Sequence, residues 1–252
     1  MGELISIDHC AMWAKIIMKV LGSQMPKYAI ETPPVVALPI AGSDELFPVR
    51  RVYCIGRNYA AHAIEMGHDP DREPPFFFQK NPNNLDPSGE FPYPPHSSDV
   101  HHEAEVAVML KSGGKNISVE DAESHIFGYA LSLDMTRRDL QGAQKKMGRP
   151  WEIGKAFERS APVGPIHRVT ETGLLNEGAI SLKVNGEVRQ EGDLNQMIWK
   201  VSEMISYLSE YFELAAGDVI QSGTPSGVGP VVKGDTMEIA AEGLGSLTIP
   251  VV

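Results

Sequence analysis

Glu103 and Glu105 lie two residues apart in VHHEAEVAVM, residues 100–109, a run that otherwise reads as a buried strand. Successive strand side chains alternate faces, so Glu103, Glu105, Ala107 and Met109 share one side and Ala104, Val106, Val108 and Leu110 the other. With Cα atoms about 7 Å apart, the two carboxylates can lean toward a common point. Ionised carboxylates at such range repel, and burial sharpens the conflict unless a cation sits between them or one is protonated. A third acid, Asp134, ends GYALSLDMT in phase with Ala130 and Ser132. Three carboxylates without Cys or His companions suit a hard cation, Mg²⁺ first and Mn²⁺ or Ca²⁺ behind it. An isolated ExE pair fits the solvated face of an edge strand at least as well, and His101 and His102, just upstream, fit surface or hydrogen-bonding roles better than zinc ligation.

A second constellation is His62 and Glu65, three residues apart in NYAAHAIEMG. On a helix these are neighbours, so the carboxylate could hold the imidazole, fix its tautomer and raise its basicity for general-base work. By itself the pattern is better read as a plain surface pair.

The elements that must position these groups are mostly strands. RVYCIG, EAEVAVML, GYALSLDM, ISLKVNG, DVIQSG and TMEIAAEG are short β-type runs bounded by Gly, Asn, Asp and Pro. Asn185-Gly186 between two extended runs predicts a tight hairpin and antiparallel pairing. Three helices interrupt the strands: residues 58–67, a segment from Thr136 to near Gly148, and NQMIWKVSEMISYLSEYF, whose Met197, Val201, Met204, Ile205 and Leu208 form a core stripe. Neither GxGxxG after a strand nor GxxxxGK[ST] occurs, so a nucleotide fold lacks its phosphate-binding turn.

Twenty-two basic residues against 33 acidic ones leave a net charge of −11, which argues against nucleic acid or an anionic membrane surface as partner. An anionic substrate would then need local Arg and Lys to overcome the global field. Cys10 and Cys54 are too few for a disulfide framework, which points to a reducing, cytoplasmic setting. Residues 1–24 are mildly apolar but broken by Lys15 and Lys19, too short for a membrane span; they read as an added segment or a docked amphipathic helix, followed by a lead-in over 25–50 and a catalytic domain over 51–252.

Six blocks in order, CIGRNYAAHAIEMG, PFFFQKNPNNL, HHEAEVAVML, GYALSLDMTRRDLQ, WEIGKAF and SGTPSGVGPVVKGD, resemble the fumarylacetoacetate hydrolase family over about residues 50–252. The resemblance implies a β-rich α+β fold, a mixed β-roll of layered sheets with a lid helix, assembled as a homodimer around a Mg²⁺ or Mn²⁺ ion. It implies Glu103, Glu105 and Asp134 as metal ligands, His62 and Glu65 as a water-activating dyad on the lid, Lys155 as the active-site lysine and Thr224 as a contact for the substrate's 2-oxo acid carboxylate. The expected reaction is metal-dependent hydrolysis of a carbon–carbon bond in a small anionic 2,4-dioxo acid, an acylpyruvate. PFFFQKNPNNL and TPSGVGPVVKGD are closest to bacterial members acting on fumarylpyruvate in gentisate breakdown. Arg57, Arg138 and Gln141 are candidate contacts for a second carboxylate, and Phe76, Phe77, Phe78 and Lys80 are expected to line or support the pocket. Decarboxylation of oxaloacetate, an isomerase or decarboxylase of the homoprotocatechuate pathway on the same scaffold, and a non-enzymatic metal-binding β module remain as rival readings.

Overall fold

The structure, a computed structural model, describes residues 28–61 and 74–252. The chain divides into two units, Met1–Pro34 and Val35–Val252. Residues 28–34 of the first are exposed, and every regular element described below lies in the second. His62, Glu65 and most of the helix expected over 58–67 lie outside the described residues; only its first helical positions, Ala60 and Ala61, are within them.

The second unit is a sheet-rich mixed α+β fold, as expected. Its largest sheet has six strands in the order His167–Arg168, Ile126–Leu133, Ala104–Leu110, Asp218–Gln221, Arg51–Gly56 and Phe76–Lys80. All neighbours are antiparallel except Asp218–Gln221 with Arg51–Gly56. An antiparallel four-stranded sheet, Glu187–Asp193, Ala179–Val184, Thr236–Ala241 and Gly245–Pro250, forms a second layer. The hairpin joining its first two strands turns at Asn185 and Gly186, with φ of 53° and 82°. Positive φ at both central positions matches the right-handed twist of paired strands, which is why Asn-Gly serves there.

Alternation along Ala104–Leu110 divides the interior in two. Val106, Val108 and Leu110 join Leu131, Ile180, Leu182, Ile239 and the helix residues Met204 and Leu208 in one buried cluster. Ala107 and Met109 face Ala130, Val52, Cys54 and Val219 in another. All seven residues of Ala104–Leu110 are buried, and the strand is paired on both sides. It is therefore no solvated edge, and Glu105 points into the protein.

The helix Arg138–Lys146 forms as expected. The C-terminal helix begins at Val201 rather than Asn195 and runs to Tyr211. The six residues before it are diverted by local polar groups: Asp193 accepts the Asn195 N–H at 2.8 Å to start a 3₁₀ turn over Leu194–Gln196, and Glu203 accepts the Lys200 N–H at 2.9 Å, closing the true N-terminus. No helix among the described residues is long and apolar enough to cross a membrane.

Asn58 ties this region together. Its fully buried amide donates to the carbonyls of Trp199 at 2.9 Å and Ser222 at 2.8 Å and accepts the Trp199 N–H at 2.8 Å, so the start of the 58–61 segment is pinned to both the Trp199 loop and the end of a central strand. Asn58→Ala strands those backbone groups without partners and should lower stability by about 2–4 kcal/mol, read as a reduced denaturant midpoint at unchanged slope; an unshifted midpoint would show the bonds to be replaceable by water.

Candidate metal centre and substrate cleft

Pairing register brings the three acids together. Glu105 faces Ser132, Ala104 faces Leu133, and the Asp134 N–H donates to the Glu103 carbonyl at 2.9 Å, so Glu103 and Asp134 sit opposite each other at the end of the ladder with Glu105 two residues in. One carboxylate oxygen from each of Glu103, Glu105 and Asp134 lies within 4.8 Å of the others, and all three residues are buried.

Lysines occupy the flanks of this cluster. Lys155 Nζ is 2.8 Å from Glu103 Oε2 and 2.6 Å from Asp134 Oδ2. Burial pulls its pKa down, but Asp134 and Glu103 outweigh that and hold it above the ordinary lysine value. Lys80 Nζ lies 2.9 Å from Asp134 Oδ1 and donates to Ser160 Oγ at 2.9 Å and to the carbonyl of Lys155. The Lys80 contact lacks hydrogen-bond alignment, so Asp134 Oδ1 is a buried oxygen with no hydrogen bond. Glu105 is served only by the Gly223 N–H at 3.0 Å and by no cationic side chain among the described residues. Burial first, then repulsion from Asp134 and Glu103, pushes its carboxyl well above the ordinary range. A buried Glu105 with no salt-bridge partner among the described residues, in an all-oxygen donor set whose three acids lie within 4.8 Å, fits a hard divalent cation.

Two glycines make this geometry possible. A Cβ on Gly154 would lie 2.8 Å from the Gln141 backbone nitrogen, so glycine there lets the short helix Glu152–Lys155 press against Arg138–Lys146 and deliver Lys155 to the acids. Gly223, at φ 95°, aims its N–H at Glu105 while passing close to Asn58.

The cluster forms the floor of a narrow cleft whose lining includes Arg57, Arg138, Gln141, Lys145 and Thr224. Among the described residues, four cationic lining side chains, Arg57, Arg138, Lys145 and Lys155, outnumber the three acids, a balance opposite to that of the chain as a whole and suited to an anionic ligand. Arg138 Nη2 is 2.5 Å from Glu103 Oε1 and Nη1 donates to Gln141 Oε1 at 2.7 Å. The Arg57 guanidinium rests 4.9 Å from the centre of the Phe76 ring.

Phe76 and Phe78 line the cleft with Trp151, but Phe77 does not. Strand alternation turns Phe77 to the opposite face, against Tyr207, Tyr211 and Phe212. Neither histidine upstream of Glu103 joins the acids: His101 Nε2 pairs with Asp99 at 2.8 Å and His102 Nδ1 meets Gln190 Oε1 at 3.0 Å. Lys80 has a closer role than pocket support, one signalled by its phase with Phe76 and Phe78. Trp151, Lys145 and Gln190 carried no comparable sequence signal.

A family model described as fumarylacetoacetate (FAA) hydrolase C-terminal matches residues 51–252. The chain belongs to the fumarylacetoacetate hydrolase family. A crystal structure of fumarylpyruvate hydrolase from Pseudomonas aeruginosa, in complex with Mn²⁺ and pyruvate, is 52% identical, covers 90% of this chain and 99% of its own, and superposes with a TM-score of 0.88. A fumarylpyruvate hydrolase from Ralstonia sp is 41% identical over 190 residues, 74% of this chain and 98% of that one. The oxaloacetate tautomerase of Escherichia coli (strain K12) is also 41% identical, over 198 residues, 78% of this chain and 90% of that one. The protein is thus an enzyme of this family, whose similar members carry out more than one reaction.

Removing the uncompensated acid separates metal binding from folding. Glu105→Gln should melt no lower than wild type in the presence of chelator, yet lose the rise in melting temperature expected of wild type with Mg²⁺ or Mn²⁺, which corresponds to a stabilisation of about 3 kcal/mol at a hundredfold excess over Kd. An undiminished metal-induced rise in the variant would remove Glu105 from the ligand set.

Proposed function

We propose that this protein is a divalent-metal-dependent hydrolase of acylpyruvates, with fumarylpyruvate cleaved to fumarate and pyruvate as its preferred reaction, of the kind used in aromatic-acid breakdown. The observation that carries the reading is the buried group of three carboxylates beneath a cationic cleft, supported by 52% identity across 90% of the chain to a hydrolase of that name bound to Mn²⁺ and pyruvate.

In this reading Glu103, Glu105 and Asp134 hold Mg²⁺ or Mn²⁺. A cation held there would supply Lewis-acid polarisation of the bound 2-oxo acid. Thr224 contacts its carboxylate. His62, oriented by Glu65, removes a proton from water, whose oxygen bonds to the distal carbonyl carbon. The adjacent carbon–carbon bond breaks, its electron pair leaves on the pyruvate enolate, and a proton returns to carbon to give pyruvate. Lys155, held cationic between Glu103 and Asp134, places positive charge beside the developing oxyanion.

Arg57 is the side chain we assign to the distal carboxylate, because Arg138 and Gln141 are already engaged with Glu103 and with each other while Arg57 lies over Phe76 at the cleft wall. The equal identity of the Escherichia coli oxaloacetate tautomerase supports a second reading, proton transfer on oxaloacetate at the same metal.

A spectrophotometric panel of fumarylpyruvate, acetylpyruvate, fumarylacetoacetate and oxaloacetate, with Mg²⁺ and with chelator, tests these readings. Fumarylpyruvate should have the highest kcat/KM, and His62→Ala should lower its kcat about 10²- to 10⁴-fold with metal affinity unchanged. A higher kcat/KM for oxaloacetate, insensitive to His62, would favour the tautomerase. Arg57→Met should raise KM for fumarylpyruvate more than for acetylpyruvate; equal rises would reject Arg57 as the distal contact.

A further inference from the structure

Beneath the cleft, Gln190 joins two parts of the site that the chain supplies from distant positions. It lies in the strand Glu187–Asp193 of the second sheet and is 1% exposed. Its Oε1 accepts the Ala104 N–H at 3.0 Å and faces His102 Nδ1 at 3.0 Å, while its Nε2 donates to Thr224 Oγ1 at 2.7 Å and to the Pro225 carbonyl at 2.8 Å.

The orientation of this amide follows from its backbone partners. Ala104 N–H can only donate and Pro225 C=O can only accept, so Oε1 must face Ala104 and Nε2 must face Pro225. Two consequences follow. His102, with Nδ1 against an acceptor, carries a proton there. Thr224 Oγ1, with one lone pair taken by an N–H, cannot direct its own proton back along that line. Thr224 lines the cleft, and its hydroxyl donates to no protein acceptor among the described residues.

We infer that Gln190 is a positioning residue that polarises Thr224, holding its hydroxyl as an acceptor from below so that its proton is presented to the carboxylate of a 2-oxo acid in the cleft. The inference rests on the proposed contact between Thr224 and that carboxylate. The same amide anchors Ala104, the residue between Glu103 and Glu105, so the acid cluster and the hydroxyl donor are set by one side chain.

The test is a double-mutant cycle read by pyruvate binding, measured calorimetrically on the Mn²⁺-loaded protein. Thr224→Val and Gln190→Met should each weaken pyruvate about tenfold or more, as expected for losing a hydrogen bond to a charged group. Gln190→Met combined with Thr224→Val should bind no more weakly than Thr224→Val alone, whereas Thr224→Ser should bind as wild type. Gln190→Glu keeps the bonds accepted from Ala104 and His102 but removes the donor facing Thr224, so it serves if the Met variant fails to fold, and repeating it in the Thr224→Val background cancels the effect of its added charge. Losses that multiply in the double variant, or wild-type binding by both Gln190 variants beside a weakened Thr224→Val, would overturn the role of Gln190 and leave Thr224 in place. Wild-type pyruvate binding by Thr224→Val would instead overturn the carboxylate contact itself.

Discussion

Three carboxylates buried within 4.8 Å of one another repel unless positive charge lies among them. Much of the site's architecture follows from this constraint. Lys155 spans Glu103 and Asp134, Lys80 flanks Asp134 from the other side, and Arg138 closes on Glu103. Glu105, the acid furthest along the strand, receives one backbone N–H and forms no salt bridge among the described residues. The protein therefore carries an electrostatic deficit at one point, one that a hard cation fits. The cost of the cluster is met by the packing around it: the strand bearing Glu105 is buried on both faces and paired on both sides.

The same constraint shapes the cleft above. Arg57, Arg138, Lys145 and Lys155 face a floor of three acids, so a bound divalent ion leaves a surplus of positive charge in a chain whose net charge is −11. Such a surplus would favour anionic small molecules despite the acidic balance of the chain. Two of the cations are already committed to the floor, which divides the cleft into an acidic end, organised by Lys155 and Arg138, and a wall where Arg57 stacks on Phe76.

Precision in this arrangement comes from backbone and amide groups. Gly223 N–H addresses Glu105, Asn58 clamps Ser222 next to it, and Gln190 links Ala104 to Thr224. These contacts join sequence-distant segments through donors and acceptors with fixed directions, so they orient the acids and the threonine more tightly than charge alone would. Family members of similar identity with different names are consistent with a shared floor whose chemistry is selected by the groups placed over it.

Period-two alternation was enough, from sequence, to put Glu105, Ala107 and Met109 on one side of a strand and to bring Asp134 into phase with Ser132, because strand geometry is local. The Asn185-Gly186 turn and the helix Arg138–Lys146 were legible for the same reason. The family and its sheet-rich fold were legible in six ordered blocks. Whether Glu105 faced water or the interior was not legible, since that depends on Asp218–Gln221 pairing along the other edge of the strand. The late start of Val201–Tyr211 was hidden because capping by Asp193 and Glu203 overrides an apolar stripe that itself suits a helix. Phe77 was assigned to the pocket by its neighbours, though alternation sends it to the opposite face. Gln190 had no sequence signal at all: a glutamine in a hairpin strand becomes part of the site only when the second sheet closes over Ala104 and Thr224, 86 and 34 residues away along the chain. Sequence alone determined which chemical groups exist and which share a strand face; tertiary structure decided which are desolvated together, because burial and long-range hydrogen bonding belong to the packed chain.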